Sequence, residues 1–201
     1  MTPADTAGGR VVYLVRHGQT ALNAEGRLRG RLDPPLDEQG EEQVAALGAA
    51  FAALTRPPAR IVAGPLLRTR QTAGAIARAC RLVVVVDERL VDRDYGTWTG
   101  EPADEVRSRF GPDLVELPGA EPVGVLVDRA LAVLEAQLPF LGRPVVLVAH
   151  DAVNSHLLSR LDPSLGAPHE IEQGTACWNR LERAGDGWRV VAVNGSAATL
   201  S

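Results

Sequence analysis

Three stretches of the chain are apolar without interruption and end abruptly at a polar residue. Residues 11–15 (VVYLV) stop at Arg16, 82–86 (LVVVV) stop at Asp87, and 145–149 (VVLVA) stop at His150. Short continuous runs of this kind fit strands buried on both faces, as in a parallel sheet. Residues 60–63 read as a further short strand. Between the strands the apolar positions recur at helical spacing. Val44, Leu47, Phe51 and Leu54 follow Asp37, which is placed as an N-cap with acidic residues in the first turn, and Arg56-Pro57-Pro58 closes that helix. Further helices are expected over 66–80, 103–110, 123–138 and 152–161. Residues 18–36, 92–104 and 112–122 are rich in Gly, Pro and polar residues and read as loops. Residues 176–182 and 188–193, flanking Gly185-Asp186-Gly187, read as a terminal hairpin.

The alternation of strand and helix predicts an α/β fold: a single domain with a mostly parallel sheet, helices on both faces and a C-terminal β-hairpin. The 201 residues, 45% of them apolar, suit one domain over 11–201, with residues 1–10 as a flexible N-terminus. In open sheets of this kind ligands bind beyond the carboxyl ends of the strands. Arg16-His17 and His150 both fall there.

Charge and composition narrow the chemistry. The net charge is −4, so neither nucleic acid nor an anionic membrane is expected as partner. All 21 basic residues are Arg, a bias that reads as compositional. It nevertheless excludes Schiff-base and P-loop lysines, so an anion site must use Arg, His or backbone N–H groups. Cys80 and Cys177 stand far apart and outside any CxxC pattern, so neither a disulfide framework nor a zinc site is expected. No apolar run approaches the roughly 20 residues of a membrane span, and the start of the chain lacks the apolar core of a signal peptide. A cytoplasmic location is the expectation.

The candidate chemistry begins at Arg16-His17-Gly18-Gln19-Thr20, with Asn23 following: an imidazole beside a guanidinium, just after a buried strand. Gly18 is read as permitting close approach of a ligand. Arg68 lies at the start of a helix that follows a short strand, and a helix N-terminus with an Arg can hold a phosphoryl group. Arg70 reads as solvated. His150-Asp151 follows the strand 145–149, with Asp151 balanced between a helix N-cap and a functional role. His156 and His169 read as surface or structural residues.

In combination, LVRHGQTALN, DPPLDEQG, GPLLRTRQTA, LVDRDYGTWTG and VVLVAH resemble the histidine phosphatase superfamily, in its phosphoglycerate mutase-like branch, from Val12 to about Leu161. The resemblance implies that His17 is a nucleophile taking up the phosphoryl group. It implies that Arg16, Arg68 and His150 hold the phosphoryl oxygens, and that Asn23 contacts the same group or orients its loop, with Gln19 and Thr20 beside it. No metal and no cofactor are implied, because arginines supply the positive charge. The family's usual glutamate proton donor is replaced here by Asp92, one bond shorter. Asp151 after His150 matches the His-Asp of the acid-phosphatase branch. Asp92 is the preferred donor and Asp151 the alternative. The expected activity is phosphomonoester hydrolysis of a small phosphorylated metabolite, with a homodimer allowed. Two other readings stay open: a cofactor-dependent phosphoglycerate mutase, and a phosphate-binding or interaction module with weak catalysis. The stretch from Gly100 to Leu126 is short and carries only Arg107 and Arg109, which favours hydrolysis over mutase action.

Overall fold

The computed structural model describes residues 10–201. The N-terminal stretch expected to be flexible lies, apart from Arg10, outside the described residues. Six strands form one sheet in the order β3-β2-β4-β1-β5-β6. Strands β1 (Val11–Arg16), β2 (Arg60–Ala63), β3 (Val84–Val86) and β4 (Val145–Ala149) are parallel. β5 (Trp178–Ala184) runs antiparallel to β1, and β6 (Gly187–Gly195) pairs antiparallel with β5 across a tight turn.

Side-chain alternation divides β1 between two cores. Tyr13 and Val15 face Val44, Leu47 and Phe51 of α2 (Glu38–Ala53) and Ile76 of α3 (Leu67–Cys80). Val12 and Leu14 face Leu126 and Val133 of α5 (Val123–Glu135) and Leu157 of α6 (Asp151–Leu161). Both faces are therefore covered, as the unbroken apolar runs require. Each fully buried Leu, Val or Phe contributes about 1.5–3 kcal/mol over an exposed one. A smaller third cluster joins Leu28, Tyr95, Leu114 and Leu117 to Val106 of α4 (Ala103–Phe110). It holds the connecting loops over the carboxyl edge of the sheet.

Several local expectations need correction. The run at 82–86 shortens to Val84–Val86 and is an edge strand, with Val83, Val85 and Val86 exposed. A strand paired on one side only leaves that apolar run uncovered. The loop at 18–36 contains the short helix α1 (Ala21–Ala24), where Asn23 Oδ1 accepts from Thr20 N at 3.1 Å and from Thr20 Oγ1 at 2.9 Å. The helix expected over 123–138 ends at Glu135 and continues only as a 3-10 turn, Leu138–Phe140, because Pro139 has no N–H to extend it.

Gly18 was expected to admit a ligand, but it admits a helix. A Cβ on Gly18 would lie 2.7 Å from Val44 Cγ1 and 2.8 Å from the Gly40 carbonyl oxygen. A Cβ on Gly40 would overlap the Gln19 carbonyl. The first turns of α2 thus press directly on the loop that follows β1. Gly40→Ala should destabilise the protein by about 1–3 kcal/mol, overpacking outweighing the gain in helix propensity. Chemical denaturation of wild type and variant measures this, and an unchanged or raised midpoint would contradict the tight contact.

Candidate active site

Each parallel strand delivers chemistry at its carboxyl end. β1 ends in Arg16 and leads into His17. β2 leads through Gly64 to Arg68 in the first turn of α3. β3 leads through a 3-10 turn, Glu88–Leu90, to Asp92. β4 leads to His150. His17, Arg68 and His150 are each 0% exposed and Asp92 is 3% exposed. The His17 and His150 rings stand edge to face with centroids 5.2 Å apart.

The His17 ring is oriented by its own neighbour. Nδ1 donates to the Gly18 carbonyl at 2.7 Å. A carbonyl can only accept, so the proton sits on Nδ1 and the lone pair on Nε2. The loop is held in turn by Gly18 N, which donates to Thr72 Oγ1 of α3 at 3.1 Å. Burial first, and then His150, Arg68, Arg16 and Arg29, push the His17 pKa well below its ordinary value. Burial and Arg68 do the same for His150. Both imidazoles are therefore neutral near pH 7.

The cations are fixed by carbonyls and one carboxylate. Arg68 donates to the carbonyls of Leu32 and Gly30 at 2.6 and 2.9 Å, and to Asp92 Oδ2 at 3.0 Å. Arg16 donates to the Gln173 carbonyl and lies 3.5 Å from Asp151 Oδ2. The Nε atoms of Arg16, Arg29 and Arg68, His17 Nε2 and both ring nitrogens of His150 are buried without a hydrogen-bond partner among the described residues. Several unsatisfied donors and like charges packed together are unfavourable by themselves and are offset when an anion binds.

The two candidate acids differ in setting. Asp92 has both carboxylate oxygens occupied. Oδ2 accepts from Arg68, Oδ1 accepts from Arg93 N at 2.9 Å, and His150 Nδ1 stands 3.6 Å from Oδ2. The strap carrying Asp92 is pinned to α5 by Arg129, which donates to the carbonyls of Arg89, Val91 and Asp92 at 2.6, 2.6 and 3.2 Å. Asp151 is not an N-cap: His150 holds that position and Asp151 is the first residue of α6. Its side chain is 37% exposed and faces Arg16.

A cavity of about 480 Å³ lies beside these groups, with Arg16, Asn23, Arg29, Asp92 and Asp151 in its walls and His17, Arg68 and His150 behind them. Gln19 is not among its wall residues. Its amide donates to Asp37 at 3.2 Å and Gln39 at 3.0 Å, at the start of α2. The buried Thr20 caps α1. Arg70 is exposed as expected. His156 and His169 both line the cavity, although neither was expected near a site. The N-terminus of α3, expected to face an anion, already has one: Leu67 N donates to Asp33 Oδ1 at 2.5 Å. Arg29, Thr72, Arg129 and Gln173 carried no periodic signal, since their roles arise from contacts between distant segments. Among the described residues no group of three or more His, Cys, Asp or Glu is placed to hold a metal ion. No described helix is long and apolar enough to cross a membrane.

Comparison with known proteins agrees with this geometry. The family model described as histidine phosphatase superfamily (branch 1) matches residues 12–196. The chain is 32% identical over 187 residues to the uncharacterized phosphatase PhoE of Bacillus subtilis, covering 91% of this chain and 93% of that protein. It is 36% identical over 173 residues to a protein of Salmonella choleraesuis named "Probable phosphoglycerate mutase GpmB", covering 81% and 78%. A mycobacterial glucosyl-3-phosphoglycerate phosphatase solved with VO3 superposes with a TM-score of 0.78 at 32% identity, over 93% of this chain and 100% of that one.

The buried neutral histidines set a pH limit on stability. His17, His150 and, through burial, His156 have depressed pKa values in the folded state. Below the unfolded value of about 6.5 the unfolded chain takes up protons that the native state refuses. Stability should be full above about pH 6.5 and decline on acidification, each histidine adding up to about 1.4 kcal/mol per pH unit. Urea midpoints between pH 7.5 and 5.5 measure the slope. His150→Asn should flatten it by about one proton's worth, and an unaltered slope would contradict the assignment.

Proposed function

Because this chain belongs to the histidine phosphatase superfamily, we propose that it hydrolyses small phosphomonoesters through a phosphohistidine on His17. The observation that carries the reading is the lone pair of His17 Nε2, buried among unpartnered cationic donors. In the first step Nε2 attacks phosphorus and the bond to the leaving oxygen breaks. Arg16, Arg68 and His150 donate to the equatorial oxygens, where a loose transition state carries its charge. Nδ1 keeps its proton and donates it to the Gly18 carbonyl, which stabilises the phosphorylated ring. In the second step water attacks phosphorus, the P–N bond breaks, and phosphate leaves. His17 is fully buried, so the groups above it must part to admit substrate. Arg16 and Arg29 stand in the wall between His17 and the cavity.

We prefer Asp151 over Asp92 as the proton donor. Asp92 accepts from Arg68 on one oxygen and from the Arg93 N–H on the other, bonds that favour its ionised form and tie it to Arg68. Asp151 has no capping duty, lines the cavity and stands beside the phosphoryl clamp Arg16. We assign Asp151 as the acid that protonates the leaving oxygen and as the base for the attacking water. Asp92 then acts as a positioning residue for Arg68. Hydrolysis is preferred over mutase action because the stretch from Gly100 to Leu126 brings only one basic residue, Arg107, into the cavity wall. Arg109 instead lies over the rings of Trp98 and Phe110.

His17→Ala should abolish turnover of p-nitrophenyl phosphate, and wild type should yield an acid-labile phosphoenzyme. Near-normal rates in the variant would sink the proposal. Activity should survive EDTA; loss that zinc or magnesium restores would refute the metal-free route. Asp151→Asn should slow alkyl phosphates by about 10²-fold or more and aryl phosphates much less. Asp92→Asn should slow both alike. The reverse pattern in kcat/KM would return the acid role to Asp92. Interconversion of phosphoglycerates primed by a bisphosphoglycerate, faster than phosphate release, would favour the mutase.

A further inference from the structure

The cavity does not end at the phosphoryl groups. It continues over the first two turns of α6, where Ala152, Ser155 and His156 line it, and across to Glu172. His156 lies about 7.5 Å farther along the helix axis than Asp151. Its Nδ1 donates to the Ala152 carbonyl at 2.9 Å, so Nε2 carries the lone pair. Burial lowers its pKa, which keeps the ring neutral. The residue is 7% exposed, and Nε2 is buried with no partner among the described residues. It is thus a hydrogen-bond acceptor in a cavity wall that the hydrolytic mechanism does not use.

The cavity's polar groups are sorted along its length. Buried N–H donors without partners gather where the phosphoryl group would sit, on Arg16 and Arg29 in the wall and on Arg68 behind it. At the α6 end each arginine has part of its guanidinium turned to a neighbour. Arg27 donates to Glu25 at 3.1 Å and to the Gly100 carbonyl at 2.8 Å, Arg93 donates to the Glu121 carbonyl at 2.9 Å, and Arg107 lies 3.8 Å from Asp104. The wall there includes His156, whose buried Nε2 lone pair has no partner, together with Ser155 and the exposed Glu172. A second negative charge on the leaving group would lie beside the Glu172 carboxylate. A purely apolar leaving group would strand Nε2 without a donor, which a site built on hydrogen bonds rejects strongly. Hydroxyl groups satisfy both acceptors, while Leu28, Tyr95 and Ile171 offer surface to the C–H faces of the same molecule.

We infer that this wall is a leaving-group subsite for a neutral, polyhydroxylated alcohol, so that the substrate class is a sugar-like phosphomonoester selected by a hydroxyl donating to His156 Nε2. The inference rests on the phosphatase reading above. His156 is a specificity residue, remote from the phosphoryl transfer itself.

The test compares kcat/KM for glucose 6-phosphate, fructose 6-phosphate and sorbitol 6-phosphate with that for n-hexyl phosphate, whose leaving group is similar in size but has no hydroxyls. p-Nitrophenyl phosphate reports the hydrolytic machinery. At least one of the three polyol phosphates should exceed hexyl phosphate by tenfold or more. His156→Leu should lower that ratio by at least tenfold, and His156→Gln, which keeps an acceptor near the Nε2 position, should recover most of it. If p-nitrophenyl phosphate is hydrolysed but hexyl phosphate equals or surpasses all three polyol phosphates, the subsite is wrong and the phosphatase reading stands. The same holds if His156→Leu keeps the ratio, or if 3-phosphoglycerate outruns every neutral substrate. No hydrolysis of any ester overturns both. Should His156→Leu fail to fold, the wild-type panel and His156→Gln decide alone.

Discussion

The structure depends on holding like charges together at one edge of a sheet. Arg16 and Arg68 converge with Arg29 around two neutral imidazoles, with little water to screen them. Such an arrangement persists only where the surroundings fix each group more strongly than repulsion separates them. Backbone carbonyls do most of that work: Leu32 and Gly30 hold Arg68, Gln173 holds Arg16, and Gly18 holds His17. Carbonyls attract a cation without neutralising it, so the cluster keeps the positive field that a phosphoryl dianion requires.

The single carboxylate deep in the cluster, Asp92, shows how this field is balanced. It ties to Arg68 and stands near His150, and its own strap is anchored by Arg129. Arg129 and Glu121 form a nearly buried pair at 2.7 Å, which fixes the strap to α5 while leaving the cluster's charge unchanged. Asp92 and Asp151 both line the cavity, Asp92 tied to Arg68 and Asp151 more exposed beside Arg16.

Packing supplies the precision. The start of α2 lies so close to the loop after β1 that both contact positions are glycines, Gly18 and Gly40, and the loop cannot relax away from Thr72 of α3. The orientation of His17 is therefore a property of the sheet and both helices on one face. The third cluster, around Tyr95 and Leu114, closes the opposite side of the cavity and is built from loops and the short α4. The cavity wall therefore combines α6 with segments whose sequences carry no periodic signal.

The sequence alone determined the strands, most helices and the residues at the strand ends. Apolar runs two faces deep can only be buried in a covered parallel sheet, and the polar residue that stops each run marks the ligand edge. It also determined the family, because the motif around Arg16-His17 is local and contiguous. Only the tertiary structure decided that 82–86 is an exposed edge, that Gly18 accommodates a helix, that Asp33 occupies the start of α3, and that Asp151 is free of capping. It alone brought Arg29, Gln173 and His156 to the cavity. These outcomes depend on which segments meet in space. Periodicity reports how a side chain lies on its own helix or strand, and is silent on what distant segment stands opposite it.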